Sequence, residues 1–141
     1  GLHEHLGPRY PELSPGQWIW DIRQEPQDLG IAWARAAGLQ NRRALLVGTD
    51  MAVGKMTAGL EIRKSALEDG VRADFLATGQ IGILISGKGI PLDAIRVDYA
   101  CGAVEKMVMA AGDAELAIVE GQGSIVCPSL LESLYCWDRP P

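Results

Sequence analysis

The stretch "GTDMAVGKMT", Gly48 to Thr57, places two glycines, a lysine and a late hydroxyl between an apolar run and a helical one. Such a set can hold an anion. A glycine loop entering a helix aims unpaired backbone N–H groups and the positive end of the helix dipole at a ligand, and a lysine adds mobile charge. The usual phosphate-binding loop reads G-x-x-x-x-G-K-[ST], with a hydroxyl directly after the lysine to hold magnesium. Here five residues separate Gly48 from Gly54, Met56 takes the hydroxyl position, and Thr57 comes one place later. One step along a helix turns a side chain by about 100°, so Thr57 cannot simply replace a magnesium-ligating hydroxyl at position 56. Phosphate binding by Gly48, Thr49, Asp50, Gly54, Lys55, Met56 and Thr57 is expected, and magnesium-assisted nucleotide hydrolysis is disfavoured.

Two further polar clusters end apolar runs. Thr78, Gly79 and Gln80 follow "ADFLA", and Glu120, Gly121 and Gln122 follow "LAIV". If the apolar runs are parallel strands, all three clusters meet beyond their carboxyl ends, where ligands bind in such sheets. Thr78, Gly79, Gln80, Gly121 and Gln122 then become candidates for substrate contact. Glu120 can act as a base, hold magnesium through water, or pair with Lys55 for structure. Asp98 and Glu105 are seven apart and share a helix face, where they can position an amine or form a solvated surface. Glu120 and Asp98 are the candidate catalytic carboxylates. Cys127 has no evident histidine partner and reads as a packed thiol. His3 and His5 read as solvated imidazoles, so no metal site is expected.

The elements that must position these groups follow from periodicity. "RALLVG" is a short buried strand, the stretch from about Gly54 to Asp69 a helix stopped by Gly70, and "VRADFLATGQ" a second strand. Glycine and proline break up "GILISGKGIPLDAI", which has no clear type. Residues Asp98 to Ala111 have helical character, and "AELAIVEGQGS" is a third buried strand. Strand alternating with helix implies an α/β fold on a mainly parallel sheet. Residues 1–40 read as an arm, with a short strand at Trp18 to Ile22 and a helix capped by Asp28 that runs to about Ala37. Residues 41–128 form the α/β domain, and 129–141 an irregular tail. With three strands, the sheet is expected to be cut short at its C-terminal end and to leave "LAIVEG" exposed on at least one side.

Bulk properties narrow the class. In 141 residues, 13 Lys and Arg stand against 18 Asp and Glu, a net charge of −5 that gives no reason to expect a nucleic-acid partner. No apolar run approaches the roughly 20 residues of a membrane helix, and nothing resembles a signal peptide, so a cytoplasmic protein without a membrane partner is expected. The three cysteines are odd in number, lack C-x-x-C spacing and read as reduced thiols.

"VGTDMAVGKMT" resembles the G-T-D-x-x-V-G-K-T loop of dethiobiotin synthetase, in which five residues also separate the glycines. The broader resemblance, over about residues 1–128, is to DgcN-type D-glutamate N-acetyltransferases, once labelled only as a domain of unknown function. It rests on "GLHEHLG", "IWDIR", "VGTDMAVGKMT", "FLATGQIGILISGKGI", "VDYACGAVE" and "IVEGQGS" in that order. It implies a P-loop-like three-layer domain that moves acetyl from acetyl-CoA to an amino-acid amine, and it implies a small-molecule substrate. The family continues through a segment like H-P-x-Y-S, where this sequence has Cys127 in place of the histidine. Holding the phosphates of coenzyme A needs the N–H nest and Lys55 but no departing phosphate, so the altered loop fits acyl transfer. ATP with magnesium, as in a synthetase, is the alternative cofactor, and a silent nucleotide-binding module is a third reading. A homo-oligomer is expected.

Overall fold

The computed structural model describes residues 7–10 and 12–125. Its frame is a three-stranded parallel sheet of β1 (Arg42–Leu46), β2 (Ala73–Leu76) and β3 (Leu116–Glu120). The helices are α1 (Lys55–Glu68), α2 (Gln80–Ser86) and α3 (Val97–Ala110). The spatial order is β1-β3-β2, so the last strand lies in the middle. This corrects the expected exposure of "LAIVEG": β3 pairs on both sides, and Ala117, Ile118 and Val119 are at most 1 % exposed.

Alternation along the strands divides the apolar side chains between two faces. Phe75 and Ile118 join Ala77 and Ile83 in one cluster, against which Leu46, Leu60 and Met56 pack. Leu76, Ala117 and Val119 join Ala103, Val104, Met107 and Val108 of α3 in the other, which Leu45 also touches. The order is therefore α1, sheet, α3: three layers, as expected of a P-loop-like α/β domain.

The glycine signals at the helix ends are real stops. Gly70 adopts φ 79°, its N–H donates to the Leu67 carbonyl at 3.0 Å, and Val71 N–H donates to Ala66 at 2.8 Å. These two bonds satisfy the last carbonyls of α1 in a Schellman arrangement. The ambiguous stretch "GILISGKGIPLDAI" resolves into the two-turn helix α2, a parallel bridge from Gly89 to Ala77, and a short 3-10 turn at Leu92–Ala94.

The arm differs from expectation. Trp18 to Ile22 is not a strand, because Ile22 lies across the apolar face beside Phe75 instead of along a sheet edge. The helix expected from Asp28 shrinks to a 3-10 turn at Arg35–Gly38. Asp28 (φ 61°) and Ala34 (φ 57°) are both left-handed, where an N-cap needs extended backbone. The arm straps α3 instead. Glu25 grips Arg96 at 3.0 Å, the Gln27 carbonyl accepts from Lys106 at 3.3 Å, and Leu29, Ala36 and Leu39 pack on the α3 cluster.

Candidate functional site

The carboxyl ends of the strands bring the first and third clusters together. Beyond β1 the chain turns through Ala52 (φ 58°) and Gly54 (φ 96°) into α1, whose first intrahelical bond runs from Ala58 N–H to the Gly54 carbonyl at 2.9 Å. The N–H groups of Lys55, Met56 and Thr57 precede that bond and point outward from the helix start. Left-handed residues alternating with others at such a turn converge N–H groups on an anion. Only glycine adopts the Gly54 conformation without strain.

Lys55 links the two loops. Its Nζ donates to the Asp50 carbonyl at 2.8 Å and to the Gly123 carbonyl at 2.7 Å. Two more bonds join the same loops: Ser124 Oγ donates to the Thr49 carbonyl at 2.5 Å, and Ile125 N–H to the Gly48 carbonyl at 2.9 Å. Asp50 is exposed, and its Oδ1 accepts from Met51 N–H at 2.7 Å, which tightens the turn. Met56 faces inward onto the Phe75 cluster, while Thr57 is exposed on the first turn of α1. The residue in the usual hydroxyl position is thus a packing residue.

The second cluster reaches the third through Glu120, which is 6 % exposed. Glu120 Oε2 accepts from Thr78 N–H at 3.0 Å and Gly79 N–H at 3.1 Å, and Thr78 Oγ1 donates to the Glu120 carbonyl at 2.8 Å. Lys55 and Glu120 form no ion pair among the described residues, so that structural alternative does not hold. The Gln122 side-chain amide lies over Gly79, and Gly121 sits against the Leu46 carbonyl with no room for a side chain. Gln80 turns toward Asp93, donating to its carboxylate at 2.7 Å.

The two helical carboxylates part company. Asp98 is exposed on the first turn of α3, whereas Glu105 is buried under the arm. Trp33 N–H donates to Glu105 Oε2 at 2.9 Å, Ala36 N–H to Oε1 at 3.4 Å, and Arg35 Nε to Oε2 at 3.4 Å. Burial opposes ionisation of Glu105, but these donors outweigh it and hold its carboxyl below the usual range. Glu105 is a clamp for the arm, not half of an amine-binding pair.

Among the described residues no group of three His, Cys, Asp or Glu could hold a metal, and no helix is long and apolar enough to cross a membrane. Cys101 carries a disulfide, which corrects the reading of it as a reduced thiol. His3, His5, Cys127, Cys136 and the 129–141 tail lie outside the described residues. The sequence reading passed over Gly82 and Asp93. The signal for Gly82 was a glycine inside an apolar helical run, which often marks a close approach.

Comparison with known proteins bears on this geometry. A family described as "Domain of unknown function (DUF1611_C) P-loop domain" matches residues 30–134. A D-glutamate N-acetyltransferase from Pseudoalteromonas is 43 % identical over 111 residues, which are 79 % of this chain and 33 % of that protein. Another of the same name, from Tritonibacter scottomollicae, is 36 % identical over 132 residues, 89 % of this chain and 38 % of that protein. The chain therefore spans about a third of the length of these relatives. The crystal structure of a DUF1611 family protein from Anabaena variabilis superposes with a TM-score of 0.80 at 50 % identity, covering 86 % of this chain and 36 % of that one. The loop, the parallel sheet and these matches together show that the chain belongs to the DUF1611 family, over its P-loop domain.

Proposed function

We propose that this P-loop domain serves an N-acetyltransferase, holding the phosphates of acetyl-CoA while the amine of D-glutamate is acetylated. The observation that carries the reading is the pair of relatives named D-glutamate N-acetyltransferase, at 43 % and 36 % identity over most of this chain. The geometry suits it. The N–H groups at the start of α1, with Gly48, Thr49, Asp50, Gly54 and Thr57 around them, are donors of the kind that receive phosphate oxygens. Lys55 stands at the same place and supplies a charge. Acetyl-CoA would bring the thioester from which acetyl is transferred.

The chain's own part is to bind, orient and accept a proton. An amine attacks only when neutral, so the substrate ammonium must first lose a proton. Glu120 is our choice for the acceptor, because it lies at the loop junction with one oxygen uncommitted among the described residues. Asp98, exposed at the start of α3, is assigned to the substrate side as a contact for the ammonium. Gly79, Gln80, Gly121 and Gln122 are our choice for further substrate contacts, in the turns that follow β2 and β3. The inward-facing Met56 supplies no hydroxyl for magnesium, which favours acyl transfer over an ATP-dependent synthetase.

The test is coenzyme A release from acetyl-CoA by the full-length protein, with D-glutamate and with L-glutamate. We expect release that depends on D-glutamate and is lost in Glu120→Gln. Binding of ATP only with magnesium, and no release with any amine, would replace this reading with the synthetase one.

A further inference from the structure

Thr78 is 0 % exposed and lies beside a carboxylate whose two oxygens are treated differently. Glu120 Oε2 takes both backbone donors, Thr78 N–H at 3.0 Å and Gly79 N–H at 3.1 Å. Thr78 Oγ1 adds a third tie, to the main-chain carbonyl of Glu120 at 2.8 Å. One residue therefore grips the side chain and the backbone of Glu120 together. Gly82 confines the carboxylate further: a Cβ there would lie 2.5 Å from Oε2 and 3.0 Å from the Ala77 methyl. Glu120 Oε1 has no hydrogen bond among the described residues. No buried side-chain oxygen among the described residues lacks a partner, so Oε1 touches solvent.

We propose that Thr78 and Gly82 are positioning residues for Glu120, fixing Oε2 so that Oε1 is presented to the substrate amine. This rests on the reading of Glu120 as proton acceptor. Thr78 reads in the sequence as a substrate contact, but its burial and its committed hydroxyl leave it no surface to offer. A base must sit within hydrogen-bond reach of the proton it takes, and a misplacement of about 1 Å can cost roughly a hundredfold in rate. The constraint acts on orientation and not on affinity.

Thr78→Val, Thr78→Ser and Gly82→Ala, made in the full-length protein, test this with acetyl-CoA and D-glutamate. For Thr78→Val and Gly82→Ala, kcat should fall about 10- to 100-fold while KM for D-glutamate stays within about twofold. Thr78→Ser, which keeps the hydroxyl, should recover most of the rate. A raised KM with unchanged kcat would mark Thr78 as a substrate contact and overturn the proposal, as would no change in either constant. A second readout covers variants that fail to fold. In Glu120→Gln, the amide proton resonances of Thr78 and Gly79 should move upfield, because a charged acceptor becomes a neutral one. Unmoved resonances overturn the cradle whatever the activity. If they move but the parent protein transfers no acetyl to D-glutamate, the cradle is upheld and the proposed reaction falls.

Discussion

Lys55 shows how much one side chain contributes here: it closes the loop on itself through Asp50 and ties it to the strand-three loop through Gly123. Both acceptors are carbonyls and the donor is charged, so each bond is of the stronger kind. Lys55→Ala is expected to weaken acetyl-CoA binding by about 1.5–3 kcal/mol, the range for hydrogen bonds to charged groups, with a small loss in melting temperature from the unbridged loops. Calorimetric titration measures the first and a melting curve the second; unchanged affinity would remove the phosphate cradle from the account. Met56 makes the complementary case. Its side chain packs against the Phe75 cluster, so Met56→Thr exchanges apolar contact for a hydroxyl facing the wrong way. We expect a destabilisation of about 1–2 kcal/mol in urea melts, less than for a fully buried methionine, and no gain in magnesium-dependent ATP binding. A gain would show that position 56 reaches the ligand.

At the scale of elements, Glu105 and Gly102 add two buried contacts to the ties between the arm and α3. Gly102 lies directly under the Gly30 carbonyl, and any Cβ there would strike it. Gly102→Ala is therefore expected to cost about 1–3 kcal/mol by overpacking, even though alanine is the better helix former, and a denaturant melt of that variant decides between the two effects. Glu105 gives the arm a pH dependence whose sign follows from its lowered carboxyl. The unfolded chain takes up the proton first as acid is added. The stabilisation is thus fully present above the ordinary carboxylate value of about 4.3 and is lost as pH falls through the lowered folded value. Amide exchange at Trp33 and Ala36 should accelerate in that acid window, and Glu105→Gln should remove the dependence. This contact also marks where the sequence stops being legible. Strands β1 and β3, helix α1 and its glycine stop are local patterns and were readable from period and punctuation. The clamp joins residues more than sixty positions apart, and nothing in the spacing of Asp98 and Glu105 says that one is exposed and the other covered. The expected strand at Trp18 to Ile22 does not form for the same reason: a strand needs a partner, and this segment crosses a face instead.

For the whole molecule, the decisive feature is the strand order, which no local pattern encodes. Placing β3 between β1 and β2 sets Glu120 at the centre of the sheet edge, with the loop after β1 on one side and the turn after β2 on the other. The three clusters converge for that reason, as the sequence suggested they would if the strands were parallel. The same order moves the apolar liability away from "LAIVEG", which is buried. It lies instead on α2, where Ile81 (58 % exposed), Leu84 (55 %) and Ile85 (57 %) are spaced to fall on one helical face. Three large side chains together on a seven-residue helix make a contiguous patch of the kind that drives association, unlike single scattered ones. We therefore expect the 141-residue chain to associate in a concentration-dependent way through α2 and not through a sheet edge. Sedimentation velocity at several concentrations should show the weight-average coefficient rising, and Leu84→Lys should hold it at the monomer value with the melting curve unchanged, since the side chain it replaces is exposed. If Leu84→Lys associates as the parent does, α2 is not the contact, and the outer edges of β1 and β2, unpaired among the described residues, become the surfaces to test.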